Sequence, residues 1–544
     1  MAAPPVRRLG QGIAGAAVLV GVLTVLARIT GFGKQLAFAQ TVGTDCLSTA
    51  YFTANAIPNL VFEIVVGGAL AGMVVPLLAG PASRPGDPEA KAEIGETTSA
   101  LLTWVLVLLV PLAVLTALVA GPIAGLFLGG DASTCDPEAL AQVTARMLVV
   151  FAPQIPLYGL AVVLYGVLQA HHRFTFPALA PLVSSLVVIV GYLAFVPLSG
   201  GDTGLRREVG PGELALSVGT SLGVLALVVT VVGPASRLRL RLRPRLRFPA
   251  SVAGRVRTLA FAGLAALLAQ QAATALVVWL ANTQVGAGGL AAYNFAWAIY
   301  QVPYAVLAVP IATGAFPALV ARADGGDEAG FAAVAAGTTR AVVLVSGLAA
   351  GALAAVAAPA AQVFIKDPSA VVGVDEFARA VALFAPGLVG YGLMAHLSRV
   401  LYARGLGRAA AGGTVAGWVV AMAAQALFAV ILPGDWKLAG LGLGGSVGMT
   451  VGAAVLLVSV VRTAGGPAAE GLGRAFLAAL AGGAAGFAAG GLVAAWSAPV
   501  GGWSGGVVTA LAGAVALAAG GAAALVVDRR DAAAMVSRFA RRNA

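Results

Sequence analysis

The sequence predicts an all-α polytopic membrane protein of about fourteen transmembrane helices, with two six-helix halves related by a pseudo-two-fold axis and two further C-terminal helices. Three observations predict it. The chain is 60% hydrophobic and 10% charged, with a mean hydropathy of +0.94 over 544 residues, so water is not the solvent for most of it. Apolar blocks of about 20 residues, the length a helix needs to cross ~30 Å of hydrocarbon, recur from end to end. Two segments in the first half of the chain are echoed in the second.

The blocks are centred near residues 26, 64, 112, 154, 186, 224, 268, 305, 348, 390, 421, 450, 484 and 516. LLTWVLVLLVPLAVLTALVAG (101–121) and AVVLVSGLAAGALAAVAAPAA (341–361) are typical. They are continuous apolar runs without polar alternation at ~10-residue length, so they read as helices and not as barrel strands. The 72 glycines, mixed with abundant alanine, suit helices whose backbones approach closely in lipid. The first block is long and lacks an A-x-A-like exit, so it is expected to stay as a span and not to be cleaved as a signal peptide.

Charge placement sets the expected topology. The net charge is +11, and most of the 33 Lys and Arg fall in loops on the side that holds both termini. That bias predicts cytoplasmic N- and C-termini and an even span count, and it argues for membrane lipids and no nucleic acid as partners. The densest cluster is SRLRLRLRPRLRFP (236–249), followed by Arg255 and Arg257. Its period-two Arg/Leu alternation reads as a segment lying on anionic headgroups, with a regulatory contact as the alternative. Cys46 and Cys135 both fall on the outer face in this topology, which permits a disulfide without requiring it; the alternative is two unpaired small apolar side chains.

The echoes define the domains. APQIPLYGLAVVLYGVLQAHHR from Ala152 and APGLVGYGLMAHLSRVLYARGLGR from Ala385 share Ala-Pro, Tyr-Gly-Leu and a basic exit. IPNLVFEIVVGGALAGMVVPLLAG (57–80) is echoed more weakly by VPYAVLAVPIATGAFPALVA (302–321), each with an early and a late proline. The order fits a first half over 1–235, a basic cytoplasmic linker over 236–257, a second half over 258–465, and two extra spans with a basic tail over 466–544. Halves of six spans keep the same orientation, as in transporters built from parallel repeats.

A charge at mid-membrane costs roughly 2.5–3.5 kcal/mol on insertion scales, so each one needs a reason. The first span holds Arg28 and Lys34, and the second holds Asn55, Asn59 and Glu63 at i, i+4, i+8, a polar stripe on one helical face. At ~1.5 Å per residue Arg28 and Glu63 both reach the midplane, with Lys34 about 9 Å further out. Gly31 and Gly33 lie between the cations and Pro58 lies within the stripe, so all three are candidate hinges. Two cations beside a flexible stretch point to an anion site; the alternative is that Arg28 neutralises Glu63. Arg146, Arg340 and Arg399 lie near span ends, where snorkelling serves. The histidines show no metal-ligand spacing, no Walker A sequence is present, and no nucleophile–base constellation appears, so neither a cofactor nor an enzyme is expected.

ARITGFGKQLAFAQTVG, with TAYFTANAIPNLVFEIVVGGALAGMVVPLLAG after it, resembles the first two spans of the MurJ/MviN lipid II flippases of the multidrug/oligosaccharidyl-lipid/polysaccharide exporter superfamily. The Asn-Leu-x-x-Glu-Ile element is similar to an actinobacterial branch. The resemblance implies movement of lipid II, the undecaprenyl-pyrophosphate-linked peptidoglycan precursor, across a bacterial cytoplasmic membrane, with cell-wall synthesis or division proteins as further partners. It also implies that Arg28 and Lys34 are cationic cavity positions, and a diphosphate stripped of water needs such charge. Where family members carry a basic pair this chain has Phe62 and Glu63, and Thr49 and Ala298 replace an acidic and a basic position. Other expectations in play are a flippase for another polyprenyl-linked lipid, a cation-coupled drug exporter and a non-transporting envelope scaffold.

Overall fold

In a computed structural model the protein is described over residues 6–64, 71–84, 86–129, 135–248, 264–366, 370–496 and 503–529. Arg255, Arg257 and most of the basic tail lie outside these residues. Thirteen described helical stretches are long and apolar enough to span a membrane, and they fall on thirteen of the fourteen expected blocks. The remaining block, the second, holds two shorter helices, Cys46–Phe62 and Ala71–Ala82. The protein is a multi-pass membrane protein.

The chain forms two compact units. One comprises Met1–Val42, Cys46–Gly129 and Cys135–Gln271, and the other mainly Ala272–Ala544. The first unit contains α1 (Val6–Thr41), α2 (Cys46–Phe62), α3 (Ala71–Ala82), α4 (Pro88–Leu118), α5 (Ala120–Leu128), α6 (Pro137–Phe151), α7 (Gln154–Ala170), α8 (Thr175–Ser199) and α9 (Pro211–Ser236). The division falls within α10 (Leu264–Leu280). The second unit continues with α11 (Gly289–Pro303), α12 (Val309–Asp324), α13 (Glu328–Ala355), α14 (Ala357–Phe364), α15 (Val374–Phe384), α16 (Gly387–Ala403), α17 (Gly407–Ile431), α18 (Lys437–Ala464), α19 (Leu472–Trp496) and α20 (Trp503–Val527).

Both copies of the Ala-Pro motif break a span. α6 ends at Ala152-Pro153 and α15 at Ala385-Pro386, and in each case a new helix starts at once on the other side. Proline supplies no N–H to the preceding turn, which explains why both breaks fall there. In the first unit α7 packs on α4 and on α9, while α8 packs on α1 and α9. Leu77 and Leu78 of α3, Leu101 and Val105 of α4, and Val163 and Val167 of α7 form one buried apolar cluster.

Caps mark where helices leave the apolar phase. Asp87 and Asp136 each accept a backbone N–H from the first turn of α4 and α6, with proline at the first helical position. Cys46 and Cys135 are disulfide-bonded, with Cα atoms 5.9 Å apart, which ties the start of α2 to the start of α6. Of the alternatives left open by the sequence, the pairing is the one present. Arg146 does more than snorkel: it pairs with Glu213 of α9 at 2.9 Å and donates to the carbonyls of Arg206 and Arg207.

Glycine pairs set the closest helix crossings. A Cβ added to Gly219 of α9 would lie 2.9 Å from the Cα of Gly191 of α8, and one added to Gly452 of α18 would lie 2.9 Å from the Cα of Gly417 of α17. Gly219 and Gly452 are separated by the same interval as Ala152 and Ala385, so the repeat extends to the crossing itself. Gly219→Val is expected to cost about 1–3 kcal/mol through overpacking, read as a lowered melting temperature in detergent, whereas Gly21→Ala, which meets nothing within 4 Å, should leave it unchanged.

Candidate functional site

Both candidate cations stand on α1, a helix fixed firmly at its C-terminal end. Phe38 lies in a buried aromatic box, its ring centroid 4.8 Å from Tyr51, 4.8 Å from Phe52 and 5.0 Å from Tyr192. The Tyr51 hydroxyl is 2.6 Å from that of Tyr192 and 2.7 Å from Thr220 Oγ1, so these buried hydroxyls satisfy one another. The cluster holds α1, α2, α8 and α9 together.

Upstream the same helix is open. Leu19, Val22, Val25, Leu26 and Ile29 are 42–61% exposed and form one apolar stripe at helical spacing. At ~100° per residue Arg28 and Lys34 each lie about 120° from the centre of that stripe, one on either side, so neither belongs to it. Arg28 is exposed and Lys34 half-buried. Among the described residues neither has a carboxylate within ion-pair distance, and Arg28 and Glu63 form no ion pair. α1 is one continuous helix through Gly31 and Gly33, and Thr30 Oγ1 donates back to the Leu26 carbonyl at 2.9 Å. A Cβ at either glycine would meet nothing within 4 Å, so packing does not require glycine there.

α2 carries the polar stripe. Pro58 lies inside it, and the helix loosens into a π-helical turn at Glu63 and Ile64, a distortion common at functional sites. Asn59 Nδ2 donates to the Asn55 carbonyl at 2.8 Å, and its Oδ1 accepts from the Tyr158 hydroxyl of α7 at 3.3 Å. The Asn55 Oδ1 is buried and has no hydrogen-bond partner among the described residues. Phe62 packs its ring 4.4 Å from Tyr158. Thr49 is buried within α2.

Sequence reasoning missed Tyr158 as a member of the site. The signal was present in the Tyr-Gly-Leu echo, for the second unit repeats the contact: Tyr391 lies 4.1 Å, ring to ring, from Tyr304. Tyr304 follows Pro303 as Asn59 follows Pro58, and a π-helical turn over Tyr304–Ala308 begins there. Thus one joint occurs in both units, a tyrosine against an amide and a ring in the first and against rings in the second, where Trp297, Tyr300 and Phe384 extend it. Chemically, a guanidinium with five donors and an ammonium with three offer an anion more than a carboxylate would need.

Tyr158→Phe should remove the bond to Asn59 and keep the ring contact, costing about 1 kcal/mol, while Tyr158→Leu loses both and costs more; thermal unfolding in detergent compares them.

A family profile described as "Lipid II flippase MurJ" matches residues 38–500. Among curated relatives, a probable lipid II flippase MurJ of Synechocystis is 29% identical over 45% of this chain and 44% of its own length. A lipid II flippase MurJ of Burkholderia cenocepacia is 26% identical over 72% of this chain and 73% of its own. A solved lipid II flippase MurJ in an inward closed conformation superposes with a TM-score of 0.70 at 17% identity, covering 94% of this chain and 99% of that one. An inward-facing multidrug resistance MATE family transporter of the MOP superfamily superposes at 0.66 with 16% identity, covering 83% and 98%, so the fold is shared beyond the flippases.

Proposed function

We propose, because this chain belongs to the lipid II flippase MurJ family, that it moves lipid II from the inner to the outer leaflet of a bacterial cytoplasmic membrane. It is a transporter and not an enzyme. The observation that carries the reading is the pair of cations on α1, Arg28 and Lys34, which have no carboxylate partner among the described residues and stand off the apolar stripe of their helix.

In this reading two six-span halves of like orientation rock about a central substrate, with both termini in the cytoplasm. The repeated joint, Tyr158 with Asn59 and Tyr391 with Tyr304, supports a duplicated unit. Arg28 and Lys34 grip the diphosphate, Asn55 and Asn59 offer neutral donors and acceptors to the headgroup, and the polyprenyl tail stays in lipid. Glu63 sits on the same stripe and discourages a second anion. Gly31, Gly33 and Pro58 provide the give that lets the first two spans change shape between states. The empty site is cationic, so a membrane potential negative inside favours its return inward by ~2.3 kcal/mol per charge per 100 mV.

Arg28→Ala with Lys34→Ala is expected to abolish rescue of cells depleted of their flippase and to slow headgroup flipping in liposomes by roughly tenfold or more per charge lost. Parent-like flipping would overturn the cation role. Transport of labelled drugs without lipid II would instead mark an exporter, and neither activity a scaffold. Gly31→Ala with Gly33→Ala clashes with nothing and adds about 1 kcal/mol of helix propensity per site. Protein yield should hold while flipping slows; unchanged flipping would remove the hinge.

A further inference from the structure

The basic segment after α9 is no loose loop. From Arg239 to Arg245 it contains no helix, and it runs alongside α4. A Cβ on Gly95 would lie 3.2 Å from the Arg241 carbonyl oxygen, the Arg243 N–H donates to Ser99 Oγ at 3.0 Å, and the Arg245 N–H donates to Thr103 Oγ1 at 3.0 Å. Arg245 also pairs with Glu96, and Trp104 Nε1 donates to the Leu246 carbonyl at 2.9 Å. The register follows from geometry: four residues of helix rise ~6 Å and two of extended chain ~6.6 Å, so steps of four on α4 match steps of two on the strap.

α4 changes character under this strap. PEAKAEIGETTSA is polar and charged, and LLTWVLVLLV beyond it is apolar, so the strap crosses from the aqueous end of the helix to the start of its hydrocarbon stretch. Trp104, 37% exposed, stands at that boundary as an interfacial anchor does. Leu238, Leu240 and Phe248 pack onto the buried cluster between α3, α4 and α7, whereas Leu242 and Leu246 remain 48% and 56% exposed. Arg237, Arg239, Arg241, Arg243 and Arg247 are exposed and, among the described residues, have no carboxylate partner. Arg245 alone in the strap has one, and the backbone N–H groups of Arg243 and Arg245 are already used.

We infer that this strap is a docking surface for anionic phospholipid of the leaflet in which α4 begins. Five guanidiniums held at the depth of a headgroup layer, beside two exposed leucines at the depth of the first acyl carbons, fit a phosphate-bearing lipid on both counts. The helix supplies the rigidity that an isolated Arg/Leu run lacks, so the charges stay at fixed spacing and their desolvation is shared with Trp104 and the leucines. The site is separate from Arg28 and Lys34, and binding to it requires no transport.

The test uses the full chain in neutral detergent, with phosphatidylglycerol or phosphatidylcholine added and lipid retention read by native mass spectrometry beside thermal stability. The parent should retain phosphatidylglycerol over phosphatidylcholine by roughly tenfold or more, with a matching rise in melting temperature that fades as salt shortens the screening length. Replacing Arg239, Arg241, Arg243 and Arg247 by Gln should erase the preference, and replacing the same four by Lys should keep it. A Gln variant that still prefers phosphatidylglycerol, a Lys variant that loses the preference, or a parent that retains both lipids equally, as a strap built for an acidic protein would, each overturns the inference.

Discussion

The interaction on which the rest depends is one that Arg28 and Lys34 do not make within the described protein. In a chain with 22 acidic residues and 33 basic ones, most charges are placed in loops or at helix ends, where water or a partner meets them. Arg146 has Glu213, Arg404 has Glu328, and Arg379 has Asp435. The two cations of α1 stand apart from that pattern: both lie inside a helix, and neither has a carboxylate partner among the described residues. In the proposed reading such a charge awaits a mobile anion, since the cost of holding it falls only when one arrives.

The surrounding structure explains how such a helix is tolerated. α1 is pinned at one end by Phe38 in a box whose hydroxyls are mutually satisfied, so its position does not rely on the polar half. The neighbouring α2 adds a proline, a π-helical turn and an amide stripe, each of which weakens regular helix in the same few turns. The second unit repeats the joint with aromatic rings in place of amides. One architecture thus carries a tyrosine–amide contact in one unit and a tyrosine–tyrosine contact in the other.

Much of this was legible in the sequence, and the reasons are specific. Span positions followed from run length alone, because hydrocarbon thickness imposes it. The paired Ala-Pro motifs read as a repeat and not as breaks at Pro153 and Pro386, and the glycine-rich composition indicated close crossings, although only the fold shows that Gly191 meets Gly219. The role of Tyr158 was hidden because a tyrosine at helical spacing usually packs; its meaning lies in a contact between segments far apart in the chain. Glu213 as the partner of Arg146, and α4 as the bed of the Arg/Leu strap, were hidden for the same reason. The pairing of Cys46 with Cys135 needed the distance, which topology alone left open. The second block holds two described helices, Cys46–Phe62 and Ala71–Ala82, where hydropathy reads one uniform span.

The central claim is that the α1 cations recognise a diphosphate, and equilibrium binding tests it without the complications of transport. Affinity of the purified chain is compared for lipid II and for the same polyprenyl glycopeptide joined through a neutral linker. The account predicts that the neutral analogue binds at least roughly tenfold more weakly to the parent and equally to an Arg28→Gln, Lys34→Gln variant. A parent that holds both ligands with the same affinity, or a variant that still discriminates between them, contradicts it.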